Sequence, residues 1–409
     1  MHAIVIADFA ELTGGAQRVA VESARALAEA GARVTYVHAT EATDSQLTHP
    51  AIETICLHQR DVWTLGAARG AVAGIWNAAA AQKMRAALAP FAGAAETVIH
   101  LHQWTRAFSP AILPVLMQAR LPLFITAHDY FLACPNGVLF RFDRTAPCEL
   151  PPMSLACISA NCDPRSYLHK AVRVLRTAAT RQSFGTDEVN MIHVSDRGRD
   201  TLSLLLPKNW RHDRVDNPIS IAKAPPIDAS MSGRSFAFIG RLTPEKGVLL
   251  AARAAAAASA PILFVGDGPA AAGIKAACPH AEITGWLSPA ALETLLRTHV
   301  RAVVAPSLWM ETGPMTVYEA QAFGLATIVS NRCGAAERVT TQSGFVVAPT
   351  AAALAEAFTC LKDDRLAQDM GRAAYNNYWV DPPTPAAHAR RLLALYAVRC
   401  RPGREAQGY

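Results

Sequence analysis

Two acidic residues, Glu311 and Glu319, lie eight positions apart around the predicted start of a helix. Pro314 fits the first turn of that helix, because a residue there needs no backbone N–H donor. The free N–H groups of a helix start favour an anion, and carboxylates accept hydrogen bonds from hydroxyl groups. The expected anion-binding N–H groups are those of Gly313, Met315 and Thr316. The pair therefore predicts a ligand with phosphate and hydroxyls, although both acids could simply favour the helix dipole.

Two cations, Arg241 and Lys246, follow another predicted strand, beside Gly240 and Gly247. Cations five positions apart, at the end of a strand and the start of a helix, can clamp a diphosphate from two sides. The alternative is a pair of solvated surface side chains.

The first half of the chain holds two further candidates. Gly14 and Gly15 separate a predicted strand from an alanine-rich helix, where glycine lets the backbone approach a phosphate closely. A plain tight turn is the alternative. His128, followed by Asp129, ends a predicted strand and is placed to meet a ligand, unless it is a structural histidine bonded to its neighbour. His102 follows another predicted strand and is a weaker candidate to meet a ligand.

Buried apolar runs alternate with amphipathic helical patterns along the chain, which predicts parallel sheets of the α/β class. The sequence predicts a strand, a helix and a second strand at residues 301–305, 314–322 and 326–330. Gly324 is placed to end the helix. Further strands are predicted at 2–7, 32–39, 52–58, 97–101, 122–127, 189–194, 236–239, 261–265 and 344–347. Open α/β sheets bind ligands at the carboxyl ends of their strands, where these candidates lie.

The segment from Glu311 to Glu319, with the run from Gly324 and the turn from Gly334 to Glu337, resembles the E-x7-E signature of family 4 retaining nucleotide-sugar glycosyltransferases. This resemblance implies a GT-B fold: two doubly wound Rossmann-like domains facing a cleft, with a C-terminal helix that returns to the first domain. We expect the domains at residues 1–222, joined by 380–409, and at 223–379. Residues 221–235 have a linker composition that includes Ser230, Ser232 and Gly233.

The resemblance also implies roles for the candidate residues. Glu311 and His128 would orient the donor sugar, Glu319 would bind the ribose diol, and Arg241 and Lys246 would stabilise the leaving diphosphate. The expected donor-binding residues are Gly14, Gly15, Gly240, Gly266, Gly285, Trp286, Gly313, Pro314, Met315, Thr316 and Glu319.

The implied reaction moves a sugar from a UDP- or GDP-sugar to a hydroxyl of a saccharide or lipid-linked saccharide, with retention and without a metal or cofactor. A GT-B epimerase or phosphorylase is the alternative enzyme, and a catalytically silent sugar-nucleotide-binding protein is the alternative outside enzymes. Incubating the donor without an acceptor separates the epimerase from the transferase.

The composition of the chain limits these hypotheses about fold, ligands and localisation. The 409 residues allow two full cores, and the apolar fraction of 51% is that of a globular chain. A net charge of +6 fits anionic small ligands or an anionic membrane face but does not argue for nucleic acid. The start of the chain is too short and too acidic for a signal peptide, so we expect a cytoplasmic protein with reduced cysteines.

Residues 131–164 form an irregular, cysteine-bearing stretch, and residues 165–184 a basic amphipathic helix. The four cysteines in the stretch are Cys134, Cys148, Cys157 and Cys162. They suggest a structural zinc, with free thiols or a conditional disulfide as equal alternatives. The helix carries Lys170, Arg173 and Arg176 on one face. It could bind an anionic membrane or the diphosphate of an acceptor, or it could be a solvated charged face over a core stripe of Leu168, Val172 and Leu175.

Overall fold

Parallel β-sheets form the framework of the protein, as the buried apolar runs predict. The computed structural model describes residues 1–12, 14–228 and 235–400. The described strands are β1 (His2–Ala7), β2 (Arg33–His38), β3 (Ile52–Cys56), β4 (Thr97–Leu101), β5 (Leu123–Ala127), β6 (Phe140–Arg141), β7 (Ala146–Pro147), β8 (Asn190–His193), β9 (Arg211–Arg214), β10 (Ser235–Ile239), β11 (Ile262–Val265), β12 (Glu282–Gly285), β13 (Val300–Ala305), β14 (Ala326–Ser330) and β15 (Gly344–Val347).

Helices connect most of these strands. The described α-helices are α1 (Gly15–Glu29), α2 (Ala67–Ile75), α3 (Ala78–Leu88), α4 (Leu113–Gln118), α5 (Leu155–Ser159), α6 (Tyr167–Phe184), α7 (Asp196–Ser203), α8 (Val248–Ala257), α9 (Ala271–Ala277), α10 (Pro289–His299), α11 (Met315–Phe323), α12 (Ala351–Cys360), α13 (Asp364–Val380) and α14 (Pro385–Cys400).

Two parallel sheets organise the two halves of the chain. The first sheet has the order β3-β2-β1-β4-β5-β8-β9, and the second has the order β12-β11-β10-β13-β14-β15. All residues of β1, β4, β5, β13 and β14 are buried, as expected of strands covered by helices on both faces. The predicted fold class is confirmed: two parallel α/β sheets of seven and six strands, as in GT-B proteins.

The C-terminal helix α14 returns to the first sheet and packs on α1, as predicted. His388 Nε2 lies 2.8 Å from Ser23 Oγ on α1, and Tyr396 OH lies 2.6 Å from His100 Nδ1 on β4. Leu392 and Tyr396 are fully buried in the same core cluster as Val5 and Ala24. Residues 401–409 of the predicted returning segment lie outside the described residues.

The sequence pattern predicts one helix from about Ala71 to Phe91, with Trp76 and Met84 in the core, but the structure has two helices there. α2 ends at Ile75, Trp76 is extended, and Asn77 caps α3 by accepting a hydrogen bond from the backbone N–H of Ala80 at 3.1 Å. This break turns Trp76 outward. Its side chain, which we expected in the core, is 45% exposed, whereas Met84 is buried as predicted.

The predicted linker begins against the second sheet. The N–H of Ile227 donates to the carbonyl oxygen of Phe323 at 2.8 Å, so the chain is already packed there at this point. The linker residues Ser230, Ser232 and Gly233 lie outside the described residues, and the domain boundaries remain a prediction.

Helix α6 presents its faces the other way round from our expectation. Lys170 is completely buried, and Arg173 is paired at 3.1 Å with the fully buried carboxylate of Asp163. The apolar side chains of Leu168 and Leu175 are instead 78% and 55% exposed. The interpretation of a solvated charged face over a core stripe is therefore wrong, and so is a membrane contact made by these cations.

Thiols, rather than carboxylates, surround the buried lysine. Lys170 Nζ donates to Cys162 Sγ at 3.0 Å and lies 3.8 Å from Cys157 Sγ. Among the described residues, no group of three or more His, Cys, Asp or Glu side chains is arranged to hold a metal ion. All nine cysteines are free thiols. The side-chain geometry therefore does not support the zinc hypothesis for the cysteine-bearing stretch.

Candidate functional site

Glu311 and Lys246 form an ion pair at the carboxyl edge of the second sheet. Glu311 follows β13, and Lys246 ends the short 3-10 helix Pro244–Lys246 that follows β10. Lys246 Nζ contacts Glu311 Oε1, and Ser307 Oγ donates to Glu311 Oε2. The Glu311 side chain is only 7% exposed and that of Lys246 is 19% exposed. Two residues 65 positions apart, predicted separately, thus meet in one partly buried pair.

Glu319 lies one turn into α11 and meets a cation from the other half of the chain. Arg18 on α1 donates through Nη1 to Glu319 Oε1 at 2.9 Å and through Nε to Glu22 Oε1 at 2.8 Å. Burial raises the pKa of Glu22, which Arg18 partly offsets. The guanidinium therefore links the predicted ribose-binding carboxylate to the first sheet.

The N-termini of α1 and α11 lie next to each other. A Cβ atom placed on Gly15 would lie 3.6 Å from Cε of Met315. Gly14 and Pro314 occupy the N-cap positions, and neither helix has a side-chain cap for its first N–H groups. Two helix ends with N–H groups free of side-chain caps, one from each sheet, favour an anion between them.

Glycines directly follow β10 and β11 and end β12. Gly240 has a φ of +147°, and a Cβ on Gly266 would lie only 2.0 Å from the carbonyl oxygen of Gly240, so the two backbones touch. The N–H of Gly266 in turn donates to the carbonyl oxygen of Gly285 at 2.9 Å. This contact places three predicted donor-binding residues in one row.

Two predicted residues at this edge are open to solvent. Arg241 is exposed and makes no ion pair with any residue in the described part of the chain. Trp286 is 62% exposed. Both side chains are therefore free to contact a ligand, and neither is needed by the core.

His128 directly follows β5 and is hydrogen-bonded to a second histidine. Its Nε2 lies 3.0 Å from His102 Nδ1, with the rings stacked, and its carbonyl oxygen accepts from Thr312 Oγ1 at 3.0 Å. Burial lowers the pKa of His128 to about 3, so it is neutral at physiological pH. Asp129 does not bond His128: it accepts from the N–H of Phe131 at 2.9 Å, and burial raises its pKa to about 6.

The loop that carries Glu311 also contacts the first sheet beyond β8. Ser195 Oγ donates to the carbonyl oxygen of Thr312 at 2.5 Å, and a Cβ on Gly313 would lie 3.1 Å from Val194 Cγ2. Glu337 accepts from the N–H of Asp196 at 3.1 Å, at the start of α7. The candidate residues therefore lie at a contact between the two sheets.

Comparison with known proteins identifies the family. Residues 226–377 match the family model described as glycosyl transferases group 1. The structure of sucrose-phosphate synthase from Thermosynechococcus elongatus covers 97% of this chain and 98% of its own, with a TM-score of 0.70 and 18% identity. The protein is a glycosyltransferase whose second half, residues 226–377, carries the group 1 family match. A search of curated protein sequences finds no significant match.

Other glycosyltransferase structures share the fold. Anabaena HepE in complex with UDP-glucose has a TM-score of 0.64, with 14% identity over 97% of this chain and all of that one. WaaG, a glycosyltransferase involved in lipopolysaccharide biosynthesis, has a TM-score of 0.65, with 14% identity over 97% of this chain and 99% of that one. At these identities the likeness establishes the fold of this glycosyltransferase.

Several contacts in this glycosyltransferase were missed by sequence reasoning. Arg18, Ser307 and Ser195 each hold a residue of the E-x7-E segment or its loop. The one available signal was the position of Arg18, three residues after Gly15 on the first turn of α1, where a side chain faces the same edge of the sheet. The partners of Arg18 and Ser195 are distant in sequence, whereas Ser307 lies four positions from Glu311.

Proposed function

We propose that this glycosyltransferase takes a sugar from a nucleoside-diphosphate sugar, UDP- or GDP-linked, and transfers it to an acceptor hydroxyl with retention. The observation that carries the proposal is the contact of two helix N-termini that lack side-chain caps, beside the Lys246–Glu311 pair. This arrangement suits a ligand that combines an anion with hydroxyl groups. The UDP-glucose complex of HepE supports the same donor class.

The proposed roles follow the charges of the site. Lys246, Arg241 and the amides at the start of α11 would stabilise negative charge on the departing diphosphate. Glu311 and neutral His128 would hold the sugar hydroxyls, and Glu319 the ribose diol. The donor-binding turns would be those at Gly14–Gly15, Gly240, Gly266, Gly285–Trp286 and Gly313–Thr316.

The cationic side chains of the protein would stabilise the negative charge of the leaving diphosphate, so the proposed reaction needs no metal ion. Retention would follow if the departing phosphate oxygen takes the proton of the acceptor hydroxyl on the same face of the sugar. The residues of the site would then position the two reactants and exclude water.

The proposed acceptor is a saccharide or a lipid-linked saccharide, handled in the cytoplasm beside an anionic membrane. No helix in the described ranges has the length and apolar character to span a bilayer. The supporting surface is the outward face of α6, where Leu168 and Leu175 are exposed near Trp63, whose ring centroid lies 6.1 Å from that of His169. Exposed apolar and aromatic side chains beside Arg165 suit the interface of an anionic membrane.

The membrane contact is tested by sedimentation with vesicles of phosphatidylcholine, with and without phosphatidylglycerol. We expect binding to the anionic vesicles that Leu168→Ser with Leu175→Ser weakens at least fivefold. Lys275→Ser, on the exposed surface of α9, is the control. Equal binding by the double variant and the wild type would contradict the role of this face.

The transfer reaction is tested with a panel of UDP- and GDP-sugars, each with mono- and oligosaccharide acceptors and with chelator present. We expect turnover with one donor class, and a product whose NMR coupling constant shows the anomeric configuration of the donor. Inverted product, or turnover abolished by chelator with the fold intact, contradicts the proposal. Conversion of donor in the absence of acceptor would instead favour the epimerase.

A further inference from the structure

A small cavity lies at the carboxyl ends of β4 and β5, beside His128. It has a volume of about 10 Å³, and its lining includes His102, Trp104, Thr126, His128 and Asp129. A cavity of this size accommodates about one water-sized group, and a water inside a protein needs polar partners. The cavity is therefore large enough for a single hydroxyl oxygen and too small for a sugar ring.

Two of the lining side chains have a buried ring nitrogen without a partner. His102 is 2% exposed and Trp104 is 5% exposed. Neither His102 Nε2 nor Trp104 Nε1 has a hydrogen-bond partner among the described residues. Buried polar atoms are rarely left unpaired in native proteins, so a cavity lined by both residues indicates an additional group.

We propose that this cavity is a binding subsite for one hydroxyl oxygen, which accepts a hydrogen bond from Trp104 Nε1 and donates one to His102 Nε2. The oxygen belongs either to a water molecule or to a hydroxyl of a bound sugar. The indole nitrogen can only donate, so the oxygen accepts from Trp104, and in the proposed arrangement the proton of the oxygen goes to the acceptor nitrogen of the neutral imidazole.

The subsite determines the protonation of both histidines. If His102 Nε2 accepts, then His102 carries its proton on Nδ1 and donates it to His128 Nε2, which lies 3.0 Å away. His128 then carries its own proton on Nδ1. Burial lowers the pKa of both histidines, which keeps them neutral and preserves this order of donors and acceptors.

The consequence for the reaction rests on the proposed function. His128 presents an N–H donor at its remaining nitrogen, so it donates to an oxygen of the donor sugar and does not act as a general base. His102 and Trp104 are positioning residues, since they act on the reaction only through His128.

The direct test is two-bond ¹H–¹⁵N correlation NMR of the wild-type protein at pH 7.5, with the histidine signals assigned by substitution. We expect His102 and His128 both protonated on Nδ1. His128 protonated on Nε2 overturns the proposal whatever the activity of the enzyme. This readout needs no donor, so it stays valid if the proposed transfer reaction is wrong.

Two variants distinguish a role in positioning His128 from a general effect on folding. Trp104→Phe removes the N–H and keeps most of the ring, and we expect it to give a mixture of His128 tautomers and about a tenfold lower kcat at nearly constant donor KM. His102→Asn puts an amide donor near the position of Nδ1 and should keep His128 on Nδ1 with kcat within about threefold. An unchanged tautomer in Trp104→Phe contradicts the proposal.

High-resolution crystal structures, without ligand and soaked with sugar nucleotide, identify the source of the oxygen. Density in the cavity of the free protein supports a water molecule. Density that is absent there and appears with the ligand supports a sugar hydroxyl. An empty cavity in both crystals overturns the subsite.

Discussion

Replacing Lys246 by methionine should lower both stability and catalytic rate at the proposed diphosphate site, and a second substitution should restore only the stability. Methionine keeps much of the length of the side chain and removes its charge. Glu311, only 7% exposed, then loses its cation and keeps the hydrogen bond from Ser307. Breaking a buried ion pair from one side costs about 3–5 kcal/mol. Because Lys246 is 19% exposed and Ser307 remains, we expect about 2–3 kcal/mol here and a Tm lower by several degrees.

The double variant Lys246→Met with Glu311→Gln provides the decisive comparison. Removing both charges eliminates the unpaired carboxylate, so the double variant should recover most of the lost stability, with a coupling energy of about 1–3 kcal/mol. Its activity should not recover. Loss of a charge that stabilises a leaving group typically lowers kcat by about 10²–10³.

The assays are thermal unfolding and initial rates with saturating donor. Lys275→Met, at an exposed position on α9, controls for the loss of a lysine charge and should change neither. Strictly additive stability effects would refute the ion pair. A Lys246→Met enzyme with near-normal kcat would refute its role in the reaction.

Three further predictions concern other contacts. Arg18→Gln leaves Glu22 and Glu319 without their shared cation, so donor KM should rise about tenfold and Tm should fall, whereas Arg25→Gln, in an exposed pair with Glu29, should change neither. Unchanged donor KM in Arg18→Gln would argue against Glu319 as a donor ligand. Arg241→Met should impair the rate without lowering Tm, since this side chain is exposed; a lower Tm would show a structural role. Burial lowers the pKa of His388 to about 4, so the unfolded chain binds more protons below pH 6.5 and stability falls as pH drops. His388→Gln should reduce this loss between pH 7.5 and 5 by about 2 kcal/mol in urea unfolding, and an unchanged pH dependence would contradict it.

Local signals were sufficient to predict most of the elements at the site. β14 has the predicted bounds, Gly324 ends α11 in the left-handed conformation, and Ser195 caps α7, as a serine directly after a buried strand and before a helix predicts. These features depend on residues close together in sequence, such as an apolar run or a capping side chain. The class of the sheets follows from the same runs, because strands without polar alternation must be covered on both faces.

Contacts between distant residues could not be predicted in this way. Arg18 and Glu319 are 301 positions apart, and their contact depends on how the two sheets meet. The prediction of which face of α6 is buried was wrong for a related reason. An amphipathic pattern defines two faces of a helix but does not say which one faces the core. Here the basic face is inward, because the thiols of Cys157 and Cys162 surround Lys170 and Asp163 pairs with Arg173.

The crystal structure of a complex with an intact sugar nucleotide tests the central claim most directly. We expect the diphosphate between Lys246 and the N-termini of α1 and α11, with the ribose on Glu319 and the sugar within hydrogen-bond distance of Glu311 or His128. A nucleotide bound elsewhere, with Lys246 and Glu319 making no contact to it, would contradict the assignment of this site.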